Sequence, residues 1–244
     1  MDTTSKSASE RKGGLGDTLR TVFWAVLIAL VIRTLAFEPF SIPSASMVPT
    51  LNVGDYLFVS KYTYGYSRYS LPFGPPILEG RVFSDTPARG EVAVFKLPSD
   101  NSTDYIKRVI GLPGDRIQVK RGILHINGKA VERERLGESA GGTTLYRETL
   151  PNGATHVIRE QGNDYPFDNT PLYVVPRGHY FMMGDNRDSS QDSRALSRVG
   201  YVPLENFVGR AEVLFFSHDG SARLWEVWKW PTAIRYGRIF DVIQ

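Results

Sequence analysis

The sequence predicts a mainly β protein in which an N-terminal transmembrane helix precedes a β-rich core with a smaller inserted β subdomain. Three observations support this fold class. One strongly apolar segment stands near the N-terminus, short runs of β-branched and aromatic residues recur along the rest of the chain, and glycine-containing turns separate those runs. No second helix and no internal repeat are predicted.

The first element is a membrane anchor. Residues 21–37 read TVFWAVLIALVIRTLAF, which is apolar apart from two threonines and Arg33. With its border residues the segment has the roughly twenty residues that a spanning helix needs, and we predict an anchor over residues 18–37. A cleavable secretory signal starts in a similar way, but Pro43 and the bulky Phe37 and Phe40 make a poor cleavage region.

Basic residues set the predicted orientation of this anchor. The next cation after Arg33 is Lys61, whereas four precede the apolar run, namely Lys6, Arg11, Lys12 and Arg20. The positive-inside rule therefore predicts a cytoplasmic N-terminus, with the rest of the chain on the other side of the membrane.

Strand patterns follow the anchor. Runs rich in β-branched and aromatic residues predict strands over residues 56–62, 91–96, 104–110, 115–120, 123–126, 172–175, 180–183 and 211–216. The pairs Arg121-Gly122 and Asn127-Gly128 predict tight turns, and Asn-Gly is the strongest short hairpin signal. Residues 137–170 are polar and rich in glycine, which indicates an excursion from the main sheet.

These patterns divide the chain into six segments. They are a cytoplasmic tail, the anchor, a first part of the core, an inserted β subdomain, a second part of the core and an aromatic tail, over residues 1–17, 18–37, 38–117, 118–170, 171–220 and 221–244. The last segment holds Trp225, Trp228 and Trp230 together with several cations. Two interpretations stay open for it: a membrane-interface segment, or a terminal strand whose rings pack on the core.

Composition excludes several classes of site. The chain has no cysteine, so disulfides, thiolate zinc sites and a cysteine nucleophile are absent. A net charge of +3 is too small to indicate nucleic-acid binding without a concentrated basic patch.

Serine is the candidate nucleophile and lysine the candidate base. The four histidines lie outside any serine-hydrolase motif and no G-x-S-x-G elbow is present, although a triad assembled in space stays open. In the segment DYIKRVIGLPGD, strand alternation places Tyr105, Lys107 and Val109 on one face. Apolar neighbours would lower the pKa of Lys107 and make it a base. From this segment alone, the favoured interpretation of Lys107 is an ordinary surface cation that extends over a half-exposed strand.

A third segment, GDNRDSSQDSR, alternates carboxylates with arginines. The calcium-loop pattern fails because Arg187 and Ser190 stand where a ligand and a glycine are required. The alternation favours a loop fixed by hydrogen bonds and ion pairs.

Taken together, the motifs resemble those of bacterial type I signal peptidases, which are membrane-bound enzymes with a serine-lysine dyad. The resemblance is carried, in the family's order and just after an N-terminal anchor, by IPSASMVPTL, RGEVAVFK, DYIKRVIGLPGD and GHYFMMGDNRDSSQDSR. It covers roughly residues 40–208 and is weakest between 118 and 170. One departure is that well-known Gram-negative members have two anchors, whereas one is found here.

The resemblance implies a role for each matching residue. Ser46 is the nucleophile, Lys107 is the general base, the Ser44 hydroxyl and the Ser46 N–H form the oxyanion hole, and Ser190 orients the lysine. Residues that hold the site together, with Arg108 pairing with Asp185, are Gly184, Asp185, Asn186, Asp192, Arg194 and Arg108. Residues that line the pockets for small substrate side chains are Phe40, Ile42, Pro43, Leu51, Leu57, Val94, Tyr105 and Ile106.

The resemblance also implies the reaction and its place. The enzyme would remove signal peptides from exported preproteins after an Ala-x-Ala pattern, without metal or cofactor. It would lie in the bacterial inner membrane as a single-pass protein whose catalytic domain is on the periplasmic side, with preproteins and membrane lipid as partners and no nucleic acid. Met47 is expected near the bilayer.

Two other hypotheses remain at this stage. A self-cleaving repressor-like peptidase shares the dyad, but the apolar anchor and the lack of a DNA-binding helix pair argue against it. A non-catalytic anchored β domain is the other hypothesis, in which the serines are structural.

Overall fold

The computed structural model describes residues 14–71, 74–75, 78, 80–139, 141–162, 164–223 and 225–244. Most of the predicted cytoplasmic tail, including Lys6, Arg11 and Lys12, lies outside the described residues.

The described part of the chain begins with one long apolar helix, α1 (Leu15–Leu35), and a single-turn helix, α2 (Trp230–Ala233), follows near its C-terminal end. None of the 21 residues of α1 is buried. Its length of about 31 Å matches the hydrocarbon thickness of a bilayer, and it is the one helix among the described residues that is long and apolar enough to cross a membrane. The predicted anchor is thus present as a helix, shifted about two residues toward the N-terminus.

Sixteen strands make up most of the rest of the described residues. In chain order they are β1 (Phe37–Ser41), β2 (Asp55–Ser60), β3 (Tyr66–Ser67), β4 (Arg81–Val82), β5 (Val92–Lys96), β6 (Asp104–Gly111), β7 (Arg116–Lys120), β8 (Ile123–Ile126), β9 (Lys129–Ala130), β10 (Glu132–Ser139), β11 (Thr143–Thr149), β12 (Thr155–Glu160), β13 (Tyr173–Val174), β14 (His179–Met183), β15 (Val202–Pro203) and β16 (Phe207–Ser217). The mainly β fold class predicted from the sequence is confirmed.

The strands form one large antiparallel sheet and three smaller ones. The large sheet has the order β1-β2-β16-β5-β6-β14-β15, and the others are β13-β7-β8-β9, β10-β11-β12 and β3-β4. Strand β16 pairs with both β2 and β5, and its register shifts at three bulges along these ladders. Bulges increase local twist, so the large sheet curls and brings β1 and the loop after it toward β6.

Buried side chains lie in three clusters. One of them contains Ile42, Met47 and Leu51 together with residues of β2, β5 and β16. Met47 is fully buried in this cluster, so its side chain does not face lipid, and its expected position near the bilayer stays a prediction. An unbranched thioether fills irregular core space readily, and here it fastens the segment after β1 to the sheet.

Sequence patterns located eight of these strands within a few residues but missed β1, β10–β12 and the two-residue strands β3, β4, β9 and β15. Strand β1 contains Glu38 and Pro39, and β10 reads ERERLGES, so neither presents the β-branched run that marks a strand. The predicted inserted subdomain begins inside β7 and includes the sheet β10-β11-β12. The division into domains stays a prediction.

The tryptophans of the C-terminal tail differ in their surroundings, so each of the two interpretations fits some of them. Trp230 stacks on Phe216, with ring centroids 6.0 Å apart, as a core-packed ring would. Trp225 and Trp228 are 68% and 70% exposed. The expectation of no helix beyond the anchor is wrong for Trp230–Ala233, where Pro231 occupies the first turn, a position at which its missing N–H costs nothing.

Gly209 in β16 generates a stability prediction. A Cβ at this position would lie 2.3 Å from the Ser60 carbonyl oxygen and 2.7 Å from Val59 Cγ1. We expect Gly209→Ala to lower the free energy of unfolding by about 1–3 kcal/mol through overpacking. Gly237→Ala is the matched control, because a Cβ there meets nothing within 4 Å. Denaturant unfolding of both variants in detergent checks this, and equal stability of the two would contradict it.

Candidate active site

The loop after β1 carries the candidate nucleophile. Ser44 is extended, and the chain then forms one 3-10 turn, Ala45–Met47. Ile42 and Met47 are buried on either side of this turn, and the Ile42 N–H donates to the Asp55 carbonyl at 2.9 Å. Ser46 is consequently fixed by core packing on both sides.

Strand β6 brings the candidate base to this loop. Lys107 Nζ donates to Ser46 Oγ at 2.8 Å and to the Ile106 carbonyl oxygen at 2.8 Å. Lys107 is only 3% exposed, and its Nζ lies 5.2 Å from the centroid of the Tyr105 ring. The two residues, 61 positions apart in the chain, form a buried serine-lysine pair.

Burial changes the acidity of the lysine. Desolvation lowers the pKa of Lys107 from 10.5 to about 8, while the nearby charges of Asp192 and Asp185 oppose this shift. With that pKa, roughly a tenth of the amines are neutral at pH 7, which suffices for general-base chemistry.

Two buried arginine-carboxylate pairs stand beside the dyad. Arg108 binds Asp185 in a bidentate manner, at 2.8 Å for Nε–Oδ1 and 2.7 Å for Nη2–Oδ2, so the predicted pairing is present. Arg194 binds Asp192 at 2.9 and 2.8 Å. Burial alone would raise the pKa of each carboxyl, but its arginine holds the pKa below the ordinary value. Both carboxylates are therefore ionised, and the positive charge of the bound arginine balances the negative charge of each.

The loop that contains these aspartates also holds the backbone of the serine. The Asn186 N–H donates to the Ser46 carbonyl oxygen at 3.1 Å, and Asn186 Nδ2 donates to the Ala45 carbonyl oxygen at 2.9 Å. Gly184 donates its N–H to Asp192 Oδ2 at 3.0 Å. A Cβ on Gly184 would lie 2.5 Å from the Ser46 carbonyl oxygen, so only glycine permits this close approach.

A cavity of about 640 Å³ opens at the dyad. Ser44 lines it with its Oγ 3.2 Å from Ser46 Oγ. Six of the predicted pocket residues line the cavity, namely Phe40, Ile42, Pro43, Val94, Tyr105 and Ile106.

Leu51 and Leu57 do not line the cavity, which corrects their predicted placement. Both are fully buried and belong to the core cluster that also contains Ile42 and Val94. They lie behind the cavity wall, where they support its lining residues rather than facing the cavity.

Ser190 also departs from its predicted contact. Its Oγ is buried and interacts with the Asp192 carboxylate, whose pKa it helps to lower. Among the described residues no hydrogen bond joins Lys107 to Ser190, and Lys107 Nζ donates to Ser46 Oγ and to the Ile106 carbonyl oxygen.

The cavity has lining residues that the sequence did not single out. Thr103 and Asp104 line it beside Tyr105, and Ser189 and Gln191 line it from the loop that contains Ser190. Asp104, Ser189 and Gln191 lie within the motifs quoted above. Their position next to predicted site residues was the signal that could have identified them. Among the described residues, no group of three or more His, Asp or Glu side chains could hold a metal ion.

Comparisons with known proteins show which proteins this chain is similar to. The family model described as "Signal peptidase, peptidase S26" matches residues 15–216. A signal peptidase I of Rickettsia typhi is 45% identical over 207 residues, covering 80% of this chain and 77% of the relative. The corresponding protein of Rickettsia conorii is 42% identical over 226 residues, covering 88% and 82%.

A crystal structure of a signal peptidase I from Enterococcus faecalis V583 is also similar, at 26% sequence identity. The match covers 52% of this chain and 97% of the Enterococcus chain, with a TM-score of 0.33.

The buried Arg108–Asp185 pair generates a stability prediction. Arg108→Met leaves Asp185 buried without its partner, and we expect a loss of about 3–5 kcal/mol in the free energy of unfolding. The control is Arg147→Met, which removes a surface pair with Glu134 (2.9 Å, side chains 48% and 67% exposed), and such pairs contribute about 0–1 kcal/mol. Denaturant titration of both variants measures their free energies of unfolding. A decrease for Arg108→Met that is no larger than the decrease for Arg147→Met would contradict the prediction.

Proposed function

The chain belongs to the signal peptidase family, peptidase S26, and from this premise we propose that it is a membrane-anchored serine endopeptidase that removes signal peptides from exported preproteins. The family makes the chain a peptidase hydrolase. One observation carries the finer proposal, which is the 2.8 Å contact between Lys107 Nζ and Ser46 Oγ in a buried site.

The proposed reaction begins with proton transfer within the dyad. Neutral Lys107 accepts the proton of Ser46 as Oγ attacks the carbonyl carbon of the scissile bond. The resulting oxyanion accepts hydrogen bonds from the Ser46 N–H and the Ser44 hydroxyl, and one such donor is typically worth about 3–4 kcal/mol in the transition state. Lys107 then gives its proton to the leaving amine.

Hydrolysis of the acyl-enzyme completes the cycle. A water molecule enters where the leaving amine was, Lys107 takes its proton, and the hydroxide attacks the ester carbon. Ser46 Oγ leaves as the alkoxide and takes the proton back from Lys107. Base, nucleophile and oxyanion donors all come from this chain, so the proposed reaction requires no cofactor.

The cavity walls support a preference for small residues before the cleavage site. We assign Ile42, Pro43, Tyr105 and Ile106 to the pocket for the first residue, with Leu51 packed behind its wall. Phe40, Val94 and Ile106 are assigned to the pocket for the third, with Leu57 behind that wall. Because these apolar walls are anchored in the core, they would admit alanine and exclude larger side chains.

The end of α1 supports a site close to the lipid boundary. The Lys61 N–H donates to the Ala36 carbonyl oxygen at 2.9 Å, and the Tyr66 hydroxyl donates to the Leu35 carbonyl oxygen at 2.6 Å, so the helix is fastened to the core. Ser46 follows α1 by only eleven residues. We propose a single-pass protein of the inner membrane, with its N-terminus in the cytoplasm and its catalytic domain on the periplasmic side.

The depressed pKa of Lys107 generates a pH prediction. The base must be uncharged, so activity is absent when Lys107 is protonated and rises as the pH passes upward through its pKa of about 8. We expect kcat/KM for a signal-peptide substrate to increase about tenfold per pH unit below that value and to level off above it. A profile that is flat between pH 6 and 9 would rule out this base.

Substitution of the dyad tests the function itself. We expect Ser46→Ala and Lys107→Arg each to lower cleavage of a purified preprotein by at least about a thousandfold, because one lacks the nucleophile and the other holds a guanidinium that cannot act as a base. Ser221→Ala and Lys120→Arg make the same chemical changes at exposed positions and should cleave normally. Normal processing by Ser46→Ala would instead favour a non-catalytic anchored β domain.

A further inference from the structure

The sheet β10-β11-β12 contacts the active-site loop through a buried ion pair. Glu148 lies on β11, and Arg187 lies in the 3-10 turn Arg187–Ser189 directly after Asn186. Arg187 Nη1 donates to Glu148 Oε1 at 2.7 Å, and Nη2 donates to Oε2. Both residues are buried. His156 on β12 lies on the other side of the carboxylate, with Nε2 3.4 Å from Oε2.

The ion pair is one of several contacts between this sheet and the loop. The Arg159 N–H donates to the Asp185 carbonyl oxygen at 2.8 Å, and a β-bridge joins Arg159 to Asn186. Gln161 donates its N–H to Asp188 Oδ2 at 2.6 Å and its Nε2 to Ser189 Oγ at 2.7 Å. Arg159 at the end of β12 and Gln161 just after it therefore hold the loop through hydrogen bonds at several positions.

The same loop holds the nucleophile. Asn186, the residue before Arg187, donates to the carbonyl oxygens of Ser46 and Ala45. A continuous set of contacts thus runs from Glu148 through Arg187 and the adjacent Asn186 to the backbone of Ser46. A displacement of Arg187 would move both donors that fix this backbone.

We propose that Glu148 is a positioning residue for the reaction, acting through Arg187 to hold Ser46 at hydrogen-bond distance from Lys107. The inference rests on the proposed function. It assigns to the sheet β10-β11-β12 a part in catalysis, although no atom of that sheet belongs to the dyad or the oxyanion hole.

Energetics favours a geometric role over simple stabilisation. Desolvation of two buried charges largely cancels their attraction, so a buried ion pair is weak evidence for a contribution to stability. Its bidentate geometry, in contrast, fixes distance and orientation at once. Small misplacements at a reacting centre reduce rates strongly, so the precision of the loop matters more than its mere presence.

The test compares Glu148→Gln with Glu134→Gln in the full chain in detergent. Glu148→Gln keeps the side-chain shape but removes the charge and one acceptor, whereas Glu134 lies on the same sheet in an exposed pair with Arg147. For a signal-peptide substrate we expect Glu148→Gln to lower kcat by at least about tenfold while KM changes less than about twofold, because positioning acts on the chemical step. Glu134→Gln should change neither constant.

Hydrogen exchange supplies a readout that does not depend on activity. In Glu148→Gln we expect faster amide exchange in the two loops over residues 41–51 and 184–190 as well as in the sheet. In Glu134→Gln we expect no faster exchange in either loop. Should Glu148→Gln fail to fold, Glu148→Asp keeps the charge while withdrawing the carboxylate, and the same kcat and exchange changes are expected in weaker form.

Two results would overturn the inference. One is a kcat within about twofold of the unsubstituted protein, and the other is faster exchange confined to β10–β12. If the unsubstituted protein cleaves no signal peptide, the proposed function fails, and the exchange experiment alone decides whether Glu148 positions the serine loop.

Discussion

The site depends on a hydrogen bond between an amine and a hydroxyl in a place where the amine can lose its charge. Burial depresses the pKa of Lys107, but Asp185 and Asp192 lie close enough to oppose that shift. If these carboxylates were unpaired, their field would hold the lysine protonated and inactive as a base. Arg108 and Arg194 neutralise the two carboxylates through paired hydrogen bonds. The proposed role of Lys107 as a base therefore depends on both arginines.

Precision at Ser46 comes from three parts of the chain that are distant in sequence. Core packing of Ile42 and Met47 fixes the loop to the sheet. Asn186 donates hydrogen bonds to two carbonyl oxygens of the loop, and Gly184 allows the two loops to approach closely. Curling of the large sheet supplies the remaining element, since it brings β6 with Lys107 against the loop. The candidate active site is therefore a property of the curled sheet and of the two loops that it brings together, and not of any one motif.

Sequence reasoning reached the fold class and the apolar helix because each has a local signature, whereas Ser46 and Lys107 were singled out through the four motifs taken together. It failed where position depends on packing. Leu51 and Leu57 stand in the right motifs, yet their side chains face the core. The pairing of Glu148 with Arg187 joins residues 39 apart, and Glu148 lies in the segment that the sequence marks only as polar and rich in glycine. Nothing in the local pattern shows that Glu148 becomes buried, because the loop that covers it comes later in the chain.

The most direct measurement is the titration of Lys107 itself. With ¹³C-labelled lysine in the detergent-solubilised protein, the ε-carbon shift of Lys107 is followed by NMR against pH and assigned by its loss in Lys107→Arg. Our account predicts a half-titration point near the value of about 8 that burial gives this amine. A half-titration point near the ordinary 10.5 would mean that the amine is charged at working pH, and the serine-lysine account would be wrong.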